Sequence, residues 1–247
     1  MTVRHIEETH WRQKQKPGAT ELVFILDCSG SMAGMGSDVI GGFNAMLEKQ
    51  QKKPGRCRVT TVLFDTGYRL LHESIDIQDM RPMTDRDFEA GGCTALYDAV
   101  GRTIRRIAEI QKQTAPKGRA DHVVFAIMTD GLENASKRYT LPQIRSMIER
   151  EQTAYGWEFL FLGANFDAEA TAETMGIRKD HAVEYLADSQ GMQVSFQAMS
   201  ESLESVRDCG MLDTRCMQSV REDTRTRSEP SESLCRGWRS RIWQLRE

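Results

Sequence analysis

Three short segments bring together side chains that could do chemistry: Asp27-Cys28-Ser29-Gly30-Ser31, Gly91-Gly92-Cys93-Thr94 and Thr129-Asp130-Gly131. Asp27 and Asp130 supply two carboxylates. Ser29, Ser31 and Thr94 supply three neutral hydroxyls. Oxygen donors carrying two negative charges suit a small hard cation, and the lack of His or Cys in a ligand pattern argues against zinc. Mg2+ is the expected ion, and Mn2+ would also suit the set. Mg2+ seeks six oxygens and keeps water, so five protein oxygens leave room for an outside ligand. Glycines at 30, 91, 92 and 131 let the backbone turn close to such an ion. Each segment alone reads as an ordinary helix cap, since Asp, Ser and Thr after strands do that work. The joint pattern is what points to a metal.

The elements that must position these segments follow from hydrophobic periodicity. Residues 21–27 (ELVFILD), 58–65 (RVTTVLFD), 122–129 (HVVFAIMT), 158–162 (EFLFL) and 182–186 read as strands. Asp65-Thr66-Gly67 reads as a turn, which returns residues 68–73 as an antiparallel edge strand. Helical spacing predicts helices over 39–53, 95–114, 141–151, 167–175 and 192–206, with Thr140 capping the third and Pro142 in its first turn. Strands alternating with helices imply an α/β fold: a doubly wound, mostly parallel sheet with helices on both faces. Ligands in such folds sit at the carboxyl ends of the strands, where the three segments fall.

In order and placement, DCSGS, the Thr94 loop and TDG resemble the metal-ion-dependent adhesion site of von Willebrand factor A domains. Residues 20–207 fit that family layout. TDGLENAS and GWEFLFLGANFDA are similar to stand-alone bacterial and phage members. The resemblance implies that Ser29, Ser31 and Thr94 coordinate the metal directly, and that Asp27 and Asp130 act through water and serine hydrogen bonds. It implies a non-enzymatic module that captures an exposed Glu or Asp of another protein. Two alternatives stay beside it: a metal-dependent phosphate-ester hydrolase, and a structural subunit with an unused site. The hydrolase lacks a second aspartate two residues after Asp27, where Ser29 stands.

Composition bounds the rest. The chain has 247 residues, 39% hydrophobic, and a formal net charge of -3. Nothing in that total suggests nucleic acid, and no basic stripe interleaved with aromatics stands out. The N-terminal segment, residues 1–19, is polar, and no apolar run reaches the length of a membrane span. These features predict a cytoplasmic chain with no membrane partner. The six cysteines form no C-x-x-C pair and read as free thiols, although Cys28 and Cys93 could meet at the rim of the site. Residues 208–247 hold eight arginines and no lysine, while all nine lysines lie earlier. Three readings of that Arg-rich segment stay open: a disordered or weakly helical tail, a docking tail using Trp238 and Trp243, or a non-native end.

Overall fold

A computed structural model describes residues 18–228. His5, His10, Cys235, Trp238 and Trp243, and with them most of the N-terminal segment and the end of the Arg-rich tail, lie outside the described residues. Six strands form one sheet: β1 (Thr20–Asp27), β2 (Cys57–Phe64), β3 (Tyr68–Asp76), β4 (His122–Thr129), β5 (Glu158–Ala164) and β6 (Ala182–Tyr185), in the order β3-β2-β1-β4-β5-β6. All neighbouring pairs are parallel except β2 and β3, which are joined by the Asp65–Gly67 turn. The expected doubly wound sheet with one antiparallel edge is present.

The helices are α1 (Gly36–Gln51), α2 (Leu96–Gln113), α3 (Leu141–Tyr155), α4 (Ala168–Thr174), α5 (Ser189–Cys209) and α6 (Gln218–Ser228). Alternation along β1 explains the layers. Leu22, Phe24 and Leu26 point into a core shared with α1, α5 and α6, while Val23 and Ile25 point into a second core under α2, α3 and α4. A strand buried on both faces needs this continuous apolar run. Helix α3 starts at the expected cap: the Gln143 side chain accepts the Thr140 N–H at 2.8 Å, and Gly156 closes the helix in a left-handed conformation (φ 66°). That helix runs four residues past the expected end at Glu151, because Gly156 rather than the last apolar residue stops it.

The largest departure lies after residue 207. Helix α5 continues through Arg207 to Cys209, and α6 follows as a packed helix, where the composition had suggested at most a weakly helical tail. Met217 and Val220 are 0% and 1% exposed and join the first core. Polar side chains of α6 cover the free edge of β6: Arg221 donates to the Ala182 carbonyl at 2.8 Å and Thr224 to the Glu184 carbonyl at 3.0 Å. Arg227 pairs with Asp188, the N-cap of α5, at 2.6 Å. Arg221, read as part of a tail, thus acts as an edge donor. Met217→Ala should lower the unfolding free energy by about 3 kcal/mol, the usual cost of emptying a buried Met site. A urea titration checks this; a loss below about 0.5 kcal/mol, typical of an exposed site, would show that the segment does not pack.

Candidate metal centre

The strand order makes the site. After β1 the chain crosses to one side of the sheet, and after β3 it returns to the other side of β1 as β4. The loops leaving β1 and β4 therefore part in opposite directions, opening a crevice at the carboxyl ends of both strands. Asp27 is the last residue of β1 and Asp130 follows the last residue of β4.

Both carboxylates are buried, Asp27 at 1% exposure and Asp130 at 4%. Asp27 accepts the Ser29 N–H at 2.7 Å on one oxygen and the Thr129 hydroxyl at 2.5 Å on the other. Asp130 accepts the Ser31 hydroxyl at 2.6 Å. The Ser29 and Ser31 hydroxyls lie 3.2 Å apart, so one hydrogen-bonded chain links the DCSGS loop to Asp130. A Cβ placed on Gly131 would lie 3.2 Å from the Thr94 hydroxyl and 3.9 Å from that of Ser31, so both hydroxyls border one small volume. All five sequence-predicted residues thus meet at this end of the sheet.

The second loop is held by backbone bonds. Gly30 N–H donates to the Gly92 carbonyl at 3.1 Å, and Gly91 N–H to the Cys28 carbonyl at 2.9 Å. Gly92 has φ 70°, and a Cβ there would come 2.8 Å from the Thr66 hydroxyl, so position 92 demands glycine on two counts. Asn134 clamps Thr94 from the third loop: its side chain accepts the Thr94 N–H at 2.9 Å and its own N–H donates to the Thr94 carbonyl at 3.0 Å. Glu133 accepts the Tyr97 N–H at 2.9 Å and so caps the start of α2. Sequence reasoning missed both residues. Both lie in TDGLENAS, so the segment was flagged while the hydrogen bonds these two residues make were not.

Burial raises the pKa of both aspartates above the usual carboxylate value. Hydrogen bonds from Thr129 and Ser29 oppose the rise at Asp27, and the charge of Asp130 adds to it. Among the described residues no Lys, Arg or His lies within salt-bridge distance of either. Tyr185 is 1% exposed, its hydroxyl has no partner, and burial followed by the charges of Asp130 and Asp27 raises its pKa. The chemistry of the donor set fits a hard divalent cation: two uncompensated carboxylates, three hydroxyls and no sulfur or imidazole. It is a sparse carboxylate set, and among the described residues no group of three or more His, Cys, Asp or Glu is placed to hold a metal. The Cys28 thiol donates to the Phe64 carbonyl at 3.3 Å, and burial pushes its pKa up to about 11, so it stays a protonated core residue.

With this geometry in hand, the fold can be compared with solved ones. The chain has a von Willebrand factor A-like fold. A von Willebrand factor type A protein from Catenulispora acidiphila superposes with a TM-score of 0.53 at 14% identity, covering 74% of this chain and 42% of that one. The vWF domain of the type V pili tip protein Mfa5 from Porphyromonas gingivalis gives 0.53 at 13% identity, covering 80% and 99%. The pilus adhesin SpaC from Lactobacillus rhamnosus GG gives 0.55 at 12% identity, covering 76% and 31%. The chain spans less than half the length of the first and third of these. No family model and no curated protein matches the sequence.

These neighbours correct one expectation. A pilus adhesin and a pili tip protein share the fold, so the cytoplasmic placement drawn from the polar N-terminal segment is withdrawn. What remains is narrower: among the described residues no helix is long and apolar enough to cross a membrane.

The electrostatics predict an unusual stability effect. The fold disfavours ionised Asp130, whose pKa lies above the ordinary 3.8. Such a group contributes its stability below its unfolded pKa and loses it as pH rises through the folded value. Asp130→Asn in EDTA at pH 7 should therefore melt higher than wild type, by about 2–4 °C for each kcal/mol recovered. That gain should shrink to nothing as pH falls toward 3.8, where the wild-type carboxyl is also neutral. Calorimetry across pH checks both limbs; a variant less stable than wild type at pH 7 in EDTA would contradict the charge argument.

Proposed function

We propose that the chain is a Mg2+-dependent protein-binding module that captures an acidic residue of a partner, without catalysis. The observation that carries this reading is the pair of buried aspartates with no cationic side chain beside them among the described residues, ringed by three hydroxyls. Ser29, Ser31, Thr94, Asp27 and Asp130 would hold the ion, as in a metal-ion-dependent adhesion site. Bound there, the ion supplies a Lewis-acidic position for an incoming oxygen. Mn2+ suits the same donors.

Charge decides what that oxygen is. Two carboxylates balance a divalent ion only when both are ionised and close to it. Hydrogen bonds from Ser29, Thr129 and Ser31 occupy carboxylate oxygens and draw off part of their charge. Residual positive charge then favours a carboxylate over a neutral ligand. Next to the site, Leu132 is 56% exposed, an unusual position for a leucine. It offers apolar contact beside the central bond, the arrangement in which a single anchor gains most from excluding water. The pilus and adhesion proteins that share the fold support a binding role by analogy of fold alone.

Millimolar Mg2+ or Mn2+ should raise the melting temperature through linkage to the native state, and Zn2+ should not do so specifically. Thr94→Ala removes one hydroxyl and no charge, whereas Asp27→Ala removes a carboxylate. Both should lose partner binding, with Thr94→Ala keeping more of the Mg2+-induced stabilisation. Thermal scans paired with pull-downs in Mg2+ and in EDTA test this. Capture that persists unchanged in EDTA and in both variants would sink the reading.

A further inference from the structure

A second chemistry lies on the flank of α2. Arg102, Arg105 and Arg106 stand at helical spacings of three and four, so they share one face. Arg138, in the loop leading to α3, lines the same cavity of about 230 Å³, together with Tyr68, Tyr139 and Glu109. Four guanidiniums thus meet in a chain whose net charge is -3. Arg106 is neutralised by Glu73 at 2.5 Å. Arg102, Arg105 and Arg138 are exposed and have no carboxylate within salt-bridge distance among the described residues. Like charges at these spacings weaken a helix; the Arg106–Glu73 pair and the stacking of Arg102 on Tyr68 offset part of that cost.

The cluster is built into the scaffold. Both carboxylate oxygens of Asp98, in the first turn of α2, accept backbone N–H groups of Lys137, Arg138 and Tyr139 at 2.8–3.0 Å, which pins the Arg138 loop against the helix. Each aromatic ring already has one face covered. The Arg102 guanidinium lies 4.0 Å over the Tyr68 ring. The Tyr139 ring lies flat on Gly101, where a Cβ would come within 2.7 Å of it. Nucleobases bind single-stranded sites by stacking on open ring faces, and here one face of each ring is already taken. Carboxylates need only the guanidinium edges, which accept them in paired hydrogen bonds.

We propose that this cavity is a docking site for a carboxylate-rich segment of a protein partner. Guanidiniums from two elements offer several orientations of paired donors, so successive Asp or Glu side chains can be held along α2. The site stands apart from the metal reading, since none of its residues belongs to the five oxygen donors.

The test uses the full chain in EDTA and a fluorescein-labelled octaglutamate peptide, read by fluorescence anisotropy. Binding should be measurable at 50 mM salt and several-fold weaker at 200 mM, as expected for exposed ion pairs. The double variant Arg105→Glu with Arg138→Glu should bind at least tenfold more weakly while melting at the wild-type temperature. A control reversing two charges elsewhere, Lys49→Glu with Lys179→Glu, should bind within about twofold of wild type. Absence of binding, equal loss in the control, or no loss in the double variant would overturn the proposal. So would an octathymidylate oligonucleotide that binds more tightly than the peptide and is lost in the same double variant, because the occupant would then be nucleic acid.

Discussion

Burying two like charges at the ends of adjacent strands is expensive, and the loops around Asp27 and Asp130 are shaped by that cost. Each aspartate is almost wholly removed from solvent, and the charge of Asp130 adds to the penalty on Asp27. A buried carboxylate is tolerated when it is hydrogen-bonded and when a cation offsets it. The chain supplies the first condition through Ser29 N–H, Thr129 and Ser31. Among the described residues it places no cationic side chain within salt-bridge distance of either group. A fold that meets one condition and leaves the other open is prepared for an ion from outside, and this asymmetry is the physical basis of the function proposed for it.

The rest of the upper sheet serves that arrangement. The switch in strand order opens the crevice, so the aspartates can face each other without their loops colliding. Gly92 lets the second loop pass against the Asp65–Thr66 turn, where a side chain would strike Thr66. Asn134 then joins the second loop to the third by two hydrogen bonds across Thr94. Thr94 is consequently positioned by three loops bonded to one another. Its hydroxyl is placed by backbone contacts, which leaves the oxygen free of strong competing acceptors.

Strands, helices and the five oxygen donors were legible in the sequence because each depends on local pattern. Apolar runs such as VFILD and HVVFAIMT can be little other than buried strands, and the donors follow them directly. Helix α6 was hidden for the opposite reason. Its sequence QSVREDTRTRS carries a single buried apolar residue, Val220, helped by Met217 just before it. Its arginines act on the β6 carbonyls and on Asp188, partners that only the tertiary fold reveals. The roles of Glu133 and Asn134 were missed likewise, since hydrogen bonds to distant backbone leave no periodic trace. The polar N-terminal segment was read for location, a property that fold neighbours of adhesive character show it does not determine.

The helix that covers β6 also bears on how the chain acquires its structure. A short outer strand presents unpaired carbonyls that invite pairing with a second chain. Here the groups that close this side, Arg221 and Thr224, come about forty residues after the strand they cover. During synthesis the sheet is therefore complete before its margin is shielded, and the nascent domain passes through a stage in which β6 is open. Aggregation through the open strand at that stage competes with docking of α6.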